Sequence, residues 1–310
     1  MEKIRVIYIL GPGKNGSTLL ERILGSLSMF FPIGEIPNLW KEGYEDDILC
    51  TCGEKFSSCK FWTKVSKDAF PNIPYSKLGG LDRTANKVHK VFYSPFLIYP
   101  KLASNKYNER LRRYKEVLLK LYRAMSENAK GNVLVDSSKN PMHCLILSQI
   151  PEIELYIIDL LRDSRAVAFS WQRKSIRPDI YWEKRYMLTP DIITTSRRWL
   201  QSRLGAKLIK NRCKAYRLLK YEDFIKNPKA EIIETLTAFG FNIEQKYISF
   251  LNGKSVSFGK FHSISGNPMR FIKKEIEIKE DKEWRTQMSL GAKIITTLLT
   301  YPLLKRHKYI

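Results

Sequence analysis

A lysine, an asparagine, a glycine and two hydroxyl residues, Lys14-Asn15-Gly16-Ser17-Thr18, follow Gly11-Pro12-Gly13 and precede a segment in which Leu19, Leu20, Ile23, Leu24 and Leu27 recur at helical spacing. That grouping suits an anion. A helix opening out of a glycine loop presents free backbone N–H groups and a positive dipole end to one point, and Lys14 can approach a phosphate from within the loop. The spacing nearly meets the triphosphate-binding loop, which asks for Gly, four residues, then Gly-Lys-Ser/Thr: Gly11, Gly16 and Thr18 fit, but Ser17 stands at the lysine position. A second anion-binding group begins at Arg162, which can offer two parallel N–H donors, with the Ser170 hydroxyl eight residues further on. Glu35 is the one carboxylate in Pro32-Ile33-Gly34-Glu35-Ile36-Pro37. Apolar surroundings would disfavour its ionised form and suit it to accept a proton near neutral pH.

The elements around these residues read as an α/β protein. Residues 4–10 form a β-branched and aromatic strand entering the glycine loop, and 132–136 and 154–161 are two further apolar strands. Each of these ends in polar residues, Asp136-Ser137-Ser138-Lys139-Asn140-Pro141 and Arg162-Asp163-Ser164-Arg165. In a parallel sheet such residues at strand carboxyl ends line the crevice where ligands bind. Helices are expected over 108–129, with an apolar stripe of Leu111, Tyr114, Leu118, Leu121 and Met125, over 142–150, and over 191–210 with Trp199. A strand at 215–219 is followed by Lys220-Tyr221-Glu222-Asp223-Phe224, assigned to packing, and a helix starts at Asn227-Pro228 and stops at Gly240. Residues 71–103 mix proline, glycine and aromatics without a sustained period, as a lid or irregular insertion would.

The motifs resemble those of sulfotransferases that use 3′-phosphoadenosine 5′-phosphosulfate (PAPS). Lys14-Asn15-Gly16-Ser17-Thr18 is similar to that family's 5′-phosphosulfate loop, and the segment from Arg162 to Ser170 to its 3′-phosphate motif, with Ser164 in place of the usual proline. Asp136-Ser137-Ser138-Lys139-Asn140-Pro141 looks like a segment of the bacterial members, Tyr221-Glu222-Asp223-Phe224 like the family's structural strand end, and Gly266-Asn267-Pro268-Met269-Arg270 like the late loop that closes over the nucleotide. The resemblance implies a P-loop-like three-layer fold around a central, mainly parallel sheet. It implies PAPS as co-substrate without a required metal, held by Gly13, Lys14, Asn15, Gly16, Ser17, Thr18, Arg162, Ser170, Gly266, Asn267 and Arg270, the last on the 3′-phosphate. Gly34-Glu35 matches the position at which bacterial and carbohydrate sulfotransferases carry their general base, so Glu35, Lys14 and Lys139 are the implied catalytic residues. The cytosolic branch has a histidine near position 139; this chain has Lys139 there and its next histidine is His143, which favours Glu35 as the base and leaves Lys139 and His262 as alternatives. The implied acceptor is a hydroxyl compound: a glycan, a lipid or another small alcohol.

The 310 residues, 44% hydrophobic and 12% aromatic, suit one domain over 1–310 with an irregular, cysteine-containing insertion at about 41–106. A net charge of +23 favours anionic ligands. It also raises two rivals. A P-loop kinase would need a lysine where Ser17 stands and an aspartate for magnesium, and a nucleic-acid binder would need the aromatic-basic motif of a known module, which is missing. No nucleic-acid partner is therefore expected. Apolar runs fall short of membrane-spanning length, and charged residues surround the first strand, so neither signal peptide nor anchor is expected and a cytoplasmic location is. The amphipathic segment 291–310 is expected to pack on the domain, with peripheral membrane contact as its alternative. Five cysteines include Cys50-Thr51-Cys52-Gly53 and Cys59-Lys60-Phe61-Trp62, a pattern also similar to an element of bacterial sulfotransferases. Three ligands fall short of a structural zinc site, with His89 the nearest fourth, so thiols, a disulfide and a metal all stay open. His262 reads as an ordinary loop histidine.

Overall fold

The computed structural model describes residues 2–251, 255–256, 259, 261–272 and 275–310. Five parallel strands, β1 (Ile4–Leu10), β2 (Phe30–Gly34), β3 (Val133–Lys139), β4 (Ile153–Leu161) and β5 (Ala215–Lys220), form a sheet in the order β2-β3-β1-β4-β5. Strand alternation sends Val6, Tyr8 and Leu10 to one apolar core and Ile7 and Ile9 to the other, so both faces of the sheet are covered. The alternation of strands and helices called for an α/β protein, and the arrangement is the three-layer one that the resemblance implied.

The helices sort by face. On the Ile7 side lie α1 (Ser17–Gly25), which follows the glycine loop, and the carboxyl-proximal helices Tyr221–Lys226 and Pro228–Ala238. The other side carries the long helix Asn105–Asn128, the short helix Pro141–Leu147 and part of Ile192–Ile209. Ser104 caps Asn105–Asn128 and Asn140 caps Pro141–Leu147, each accepting from backbone N–H groups of the first turn. Tyr221 begins a helix where a strand end was expected, because the chain leaves the sheet at Lys220.

The insertion differs from the irregular lid expected. Residues 71–103 contain the short helices Tyr75–Leu78, Leu81–Asn86 and Ser94–Ile98, which bury Leu78, Ala85 and Leu97. With Trp40, Phe56, Trp62 and Val65 these residues join the same apolar core as Val6 and Tyr8. Short helices without a continuous stripe escape periodicity, since each buries only one or two side chains. At the carboxyl end, helix Leu290–Arg306 packs through Thr296, Thr300 and Leu304 against Ser164–Gln172 and Ile192–Ile209, while Leu290 and Leu298 face outward. Among the described residues, no helix is long and apolar enough to cross a membrane.

A buried ion pair ties sheet to helix. Arg203 donates to both oxygens of Asp159 at 2.8 and 2.5 Å, and the Tyr216 hydroxyl donates to the same carboxylate at 2.5 Å. Both charges lie below 4% exposure, so removing one leaves the other without compensation. Arg203→Ala is expected to cost about 3–5 kcal/mol in urea denaturation. Recovery of that loss in the Arg203→Leu/Asp159→Leu double variant would trace it to the stranded carboxylate.

Candidate active site

The carboxyl ends of β1, β2, β3 and β4 meet at one edge of the sheet and open into a cavity of about 660 Å³. Its lining includes Gly13, Lys14, Gly16, Ser17, Thr18, Glu35, Lys139, Arg162, Ser170, Gly266 and Asn267. Residues far apart in sequence thus converge because parallel strands deliver their carboxyl ends to the same side.

The glycine loop is shaped to receive an anion. Gly16 is left-handed at φ 96°, and a Cβ there would meet the Tyr221 ring at 2.6 Å, so the turn into α1 requires glycine. Gly16 also supplies no capping side chain, and the first turn of α1 holds no carboxylate, which leaves its positive end to the cavity. Asn15 lies beneath the loop: its amide donates to the Leu160 carbonyl at 2.9 Å, and its side-chain oxygen accepts from the Ser17 N–H at 3.1 Å. Its side chain therefore fastens the loop to β4 and stays off the cavity wall.

Lys14 adopts φ 63°, a conformation that costs a non-glycine residue about 1–2 kcal/mol. Its Nζ lies 5.2 Å from the centre of the Trp171 ring and 3.5 Å from the Met187 sulfur. Burial and, after it, the Lys139 ammonium push the Lys14 pKa below the usual lysine value. Lys139 at φ 63° and Ser265 at φ 61° are likewise left-handed, so three strained positions surround one cavity.

Glu35 meets a different environment from the apolar one expected. Lys139 Nζ donates to its Oε1 at 2.6 Å and Asn38 Nδ2 to its Oε2 at 3.1 Å, because parallel pairing of β2 with β3 sets the ends of the two strands side by side. Lys139 Nζ also donates to the Ser137 carbonyl at 2.8 Å. At the preceding residue, Gly34 has φ 83°, and a Cβ would collide with the Ile264 backbone. This close approach brings the late loop, including Ser265 and Gly266, over the carboxylate.

Arg162 leaves the tip of β4 with its guanidinium over the Tyr221 ring at 4.4 Å. It donates to the Lys14 carbonyl at 3.0 Å and to Asp281 at 3.2 Å, and its Nε has no hydrogen-bond partner among the described residues. Arg173 holds both oxygens of Asp281 at 3.1 Å.

Three expected residues stand elsewhere. Arg270 is buried and does not line the cavity; a guanidinium nitrogen lies 3.1 Å from Asp179, and Glu42 and Glu35, which do line it, also favour its charged form. His89 lies 3.4 Å from His143 and away from the cysteines. The histidine beside them is His262, which does not line the cavity and so is not positioned as its base.

Sequence reasoning missed Glu21 in α1. This buried carboxylate accepts from the Gly34 N–H at 2.9 Å, the Ser137 hydroxyl at 2.8 Å and the Ser263 hydroxyl at 2.9 Å. Burial raises its pKa, with the Ser137 and Ser263 hydrogen bonds acting in the opposite sense. It joins the helix of the glycine loop to β2, β3 and the late loop, and the available signal was a lone acid among Leu19, Leu20, Ile23 and Leu24. Trp171 and Tyr221 are aromatic walls for Lys14 and Arg162; Trp171 carried no sequence signal of its own, and Tyr221 was expected only to pack.

Among solved structures, the chain is similar to the sulfotransferase domain from the Synechococcus PCC 7002 olefin synthase. The TM-score is 0.52 at 16% identity, over 97% of this chain and 95% of that one. The likeness is one of fold. A second similar structure is the sulfotransferase domain from the curacin biosynthetic pathway, with TM-score 0.50 and 16% identity over 98% of each chain. No protein-family model matches the sequence, and no curated protein is significantly similar to it. The central parallel sheet with flanking helices is thus the P-loop-like architecture of sulfotransferase domains.

Proposed function

We propose that this chain is a single-domain sulfotransferase that moves the sulfuryl group of PAPS to an acceptor hydroxyl by in-line displacement. The observation that carries the reading is the meeting, in one cavity, of two separate anion-binding elements with a carboxylate and two lysines. A donor with phosphates at both ends of its ribose needs two such elements. The Gly13–Thr18 loop takes the 5′-phosphosulfate, and Arg162 with Ser170 takes the 3′-phosphate, while Gly266 and Asn267 close over the nucleotide. Asp281 remains with Arg173 as Arg162 turns one donor to the phosphate.

In the transfer step the acceptor oxygen forms its bond to sulfur as the bond from sulfur to the 5′-phosphate oxygen breaks. Glu35 takes the acceptor proton, and Lys14 with the Gly16–Thr18 amides offsets charge growing on the departing phosphate. Lys139 holds the Glu35 carboxylate in place through the 2.6 Å contact and adds positive charge on the same side. A sulfuryl group carries less charge than a phosphoryl group, so fixed cations can serve where a kinase uses magnesium. The acceptor class is a carbohydrate, another small alcohol or a lipid.

Calorimetric titration with adenosine 3′,5′-bisphosphate, set against ATP with and without magnesium, tests the donor site. Micromolar binding of the bisphosphate, unaffected by magnesium, is expected. Preference for magnesium-ATP, or no binding to either, would overturn the reading.

A further inference from the structure

The three cysteines of the insertion and His262 converge on one point outside the cavity. Each offers a ligand atom, and these four atoms lie within 4.8 Å of one another. Cys59 Sγ is 3.7 Å from both Cys50 Sγ and Cys52 Sγ, and His262 Nδ1 is 3.2 Å from Cys59 Sγ and 3.9 Å from Cys50 Sγ. A tetrahedral zinc ion with ordinary Zn–S and Zn–N bonds sets its sulfurs about 3.8 Å apart and its sulfur and nitrogen about 3.5 Å apart. The two sulfur–sulfur distances match the first edge, and the two sulfur–nitrogen distances bracket the second. A disulfide would need its sulfurs at about 2.0 Å, and all three cysteines are free.

We propose that Cys50, Cys52, Cys59 and His262 bind one structural Zn²⁺ ion. Three thiolates and an imidazole are the soft, nitrogen-containing set that suits zinc, and four protein ligands leave no position for a substrate. Binding forms three Zn–S bonds and one Zn–N bond as the three thiols release their protons to solvent.

The surrounding chain is built to present these atoms. Gly53, left-handed at φ 98°, closes the turn that carries Cys50 and Cys52, and its N–H donates to the Cys50 carbonyl at 2.8 Å. Cys59 immediately precedes helix Lys60–Ala69. The His262 ring stacks on Phe61 at 5.4 Å between centres, and Trp62 Nε1 donates to the His262 carbonyl at 2.7 Å. Thr51 donates to the next carbonyl, that of Ser263, from both its N–H and its hydroxyl. The ion therefore fastens the insertion to the chain entering the late loop, whose Ser265, Gly266 and Asn267 line the cavity. It holds that loop from behind and takes no part in the transfer step.

The test is metal content and ligand chemistry, both independent of any enzymatic activity. The full chain, purified without chelator and dialysed after incubation with Zn²⁺, is expected to retain about one zinc per chain by mass spectrometry. An organomercurial should release that zinc as three thiols react. The Co²⁺-substituted chain should give the charge-transfer and ligand-field bands of a tetrahedral thiolate site. Cys52→Ser and His262→Asn should each lose most of the zinc, while Cys213→Ser, at a cysteine outside the cluster, should keep it. If the cluster variants do not fold, the wild-type zinc content and Co²⁺ spectrum decide alone. Zinc-free folded wild-type protein, a disulfide among the three cysteines, or full zinc retention in folded Cys52→Ser and His262→Asn variants would overturn the proposal. Failure of donor binding would leave these readouts unchanged, so the two readings fail separately.

Discussion

Lys14→Ala is expected to lower the transfer rate at saturating donor about 10²–10³-fold, the range for losing one charge-stabilising donor to a leaving group. Affinity for adenosine 3′,5′-bisphosphate should change little, because Arg162, Ser170 and the loop amides remain. The pH profile carries a second signature. Burial and the neighbouring Lys139 lower the Lys14 pKa, so its charged form is present at low pH and is lost as pH rises, earlier than for an ordinary lysine. The wild-type rate should therefore fall on the alkaline side. That limb should be plainest in kcat/KM, which reports the free enzyme, since the bound phosphosulfate favours the charged amine. Lys14→Arg should move the limb upward, because a guanidinium stays charged throughout. Single-turnover rates across the pH range check both points, and wild-type turnover in Lys14→Ala would remove this residue from the mechanism.

The glycine loop and its helix were legible because their information is local. Strand alternation in Ile4–Leu10, three glycines and the stripe after Thr18 lie within one short stretch, and the structure has that strand and α1 as read. The carboxyl ends of β3 and β4 followed for the same reason. Contacts across the sheet were not legible. Glu35 lies among apolar neighbours in sequence, yet it faces Lys139, 104 residues away, because β2 pairs with β3. Cys59 was readable as part of a cysteine cluster, but its histidine neighbour lies 203 residues further on, while the nearer His89 is turned toward His143. Arg270 falls in a loop with the right spacing, but spacing does not reveal that its guanidinium is buried beside Asp179. Motif spacing therefore specified the parts of the site made by one loop. The parts made by two strands or by a returning loop depended on topology.

Glu35→Gln keeps the volume and one acceptor oxygen of the side chain while removing its capacity to take a proton. Loss of a general base lowers such rates about 10²–10⁴-fold, and the larger end is expected for alkyl alcohols, whose hydroxyl protons are the hardest to remove. Phenols should suffer less, so the ratio of the two losses separates proton abstraction from mere positioning. Donor affinity should stay near wild type, since Glu35 has no place among the phosphate contacts. Lys139 complicates a single substitution, because its Nζ donates to Glu35 at 2.6 Å and the variant removes the negative charge it faces. Glu35→Gln/Lys139→Met resolves the matter. If Lys139 acts by orienting Glu35, the double variant should be about as slow as Glu35→Gln alone, since residues acting as a unit are non-additive. A fully active Glu35→Gln enzyme would instead send the base assignment to Lys139, whose Nζ already touches that carboxylate, since His262 faces the cysteines.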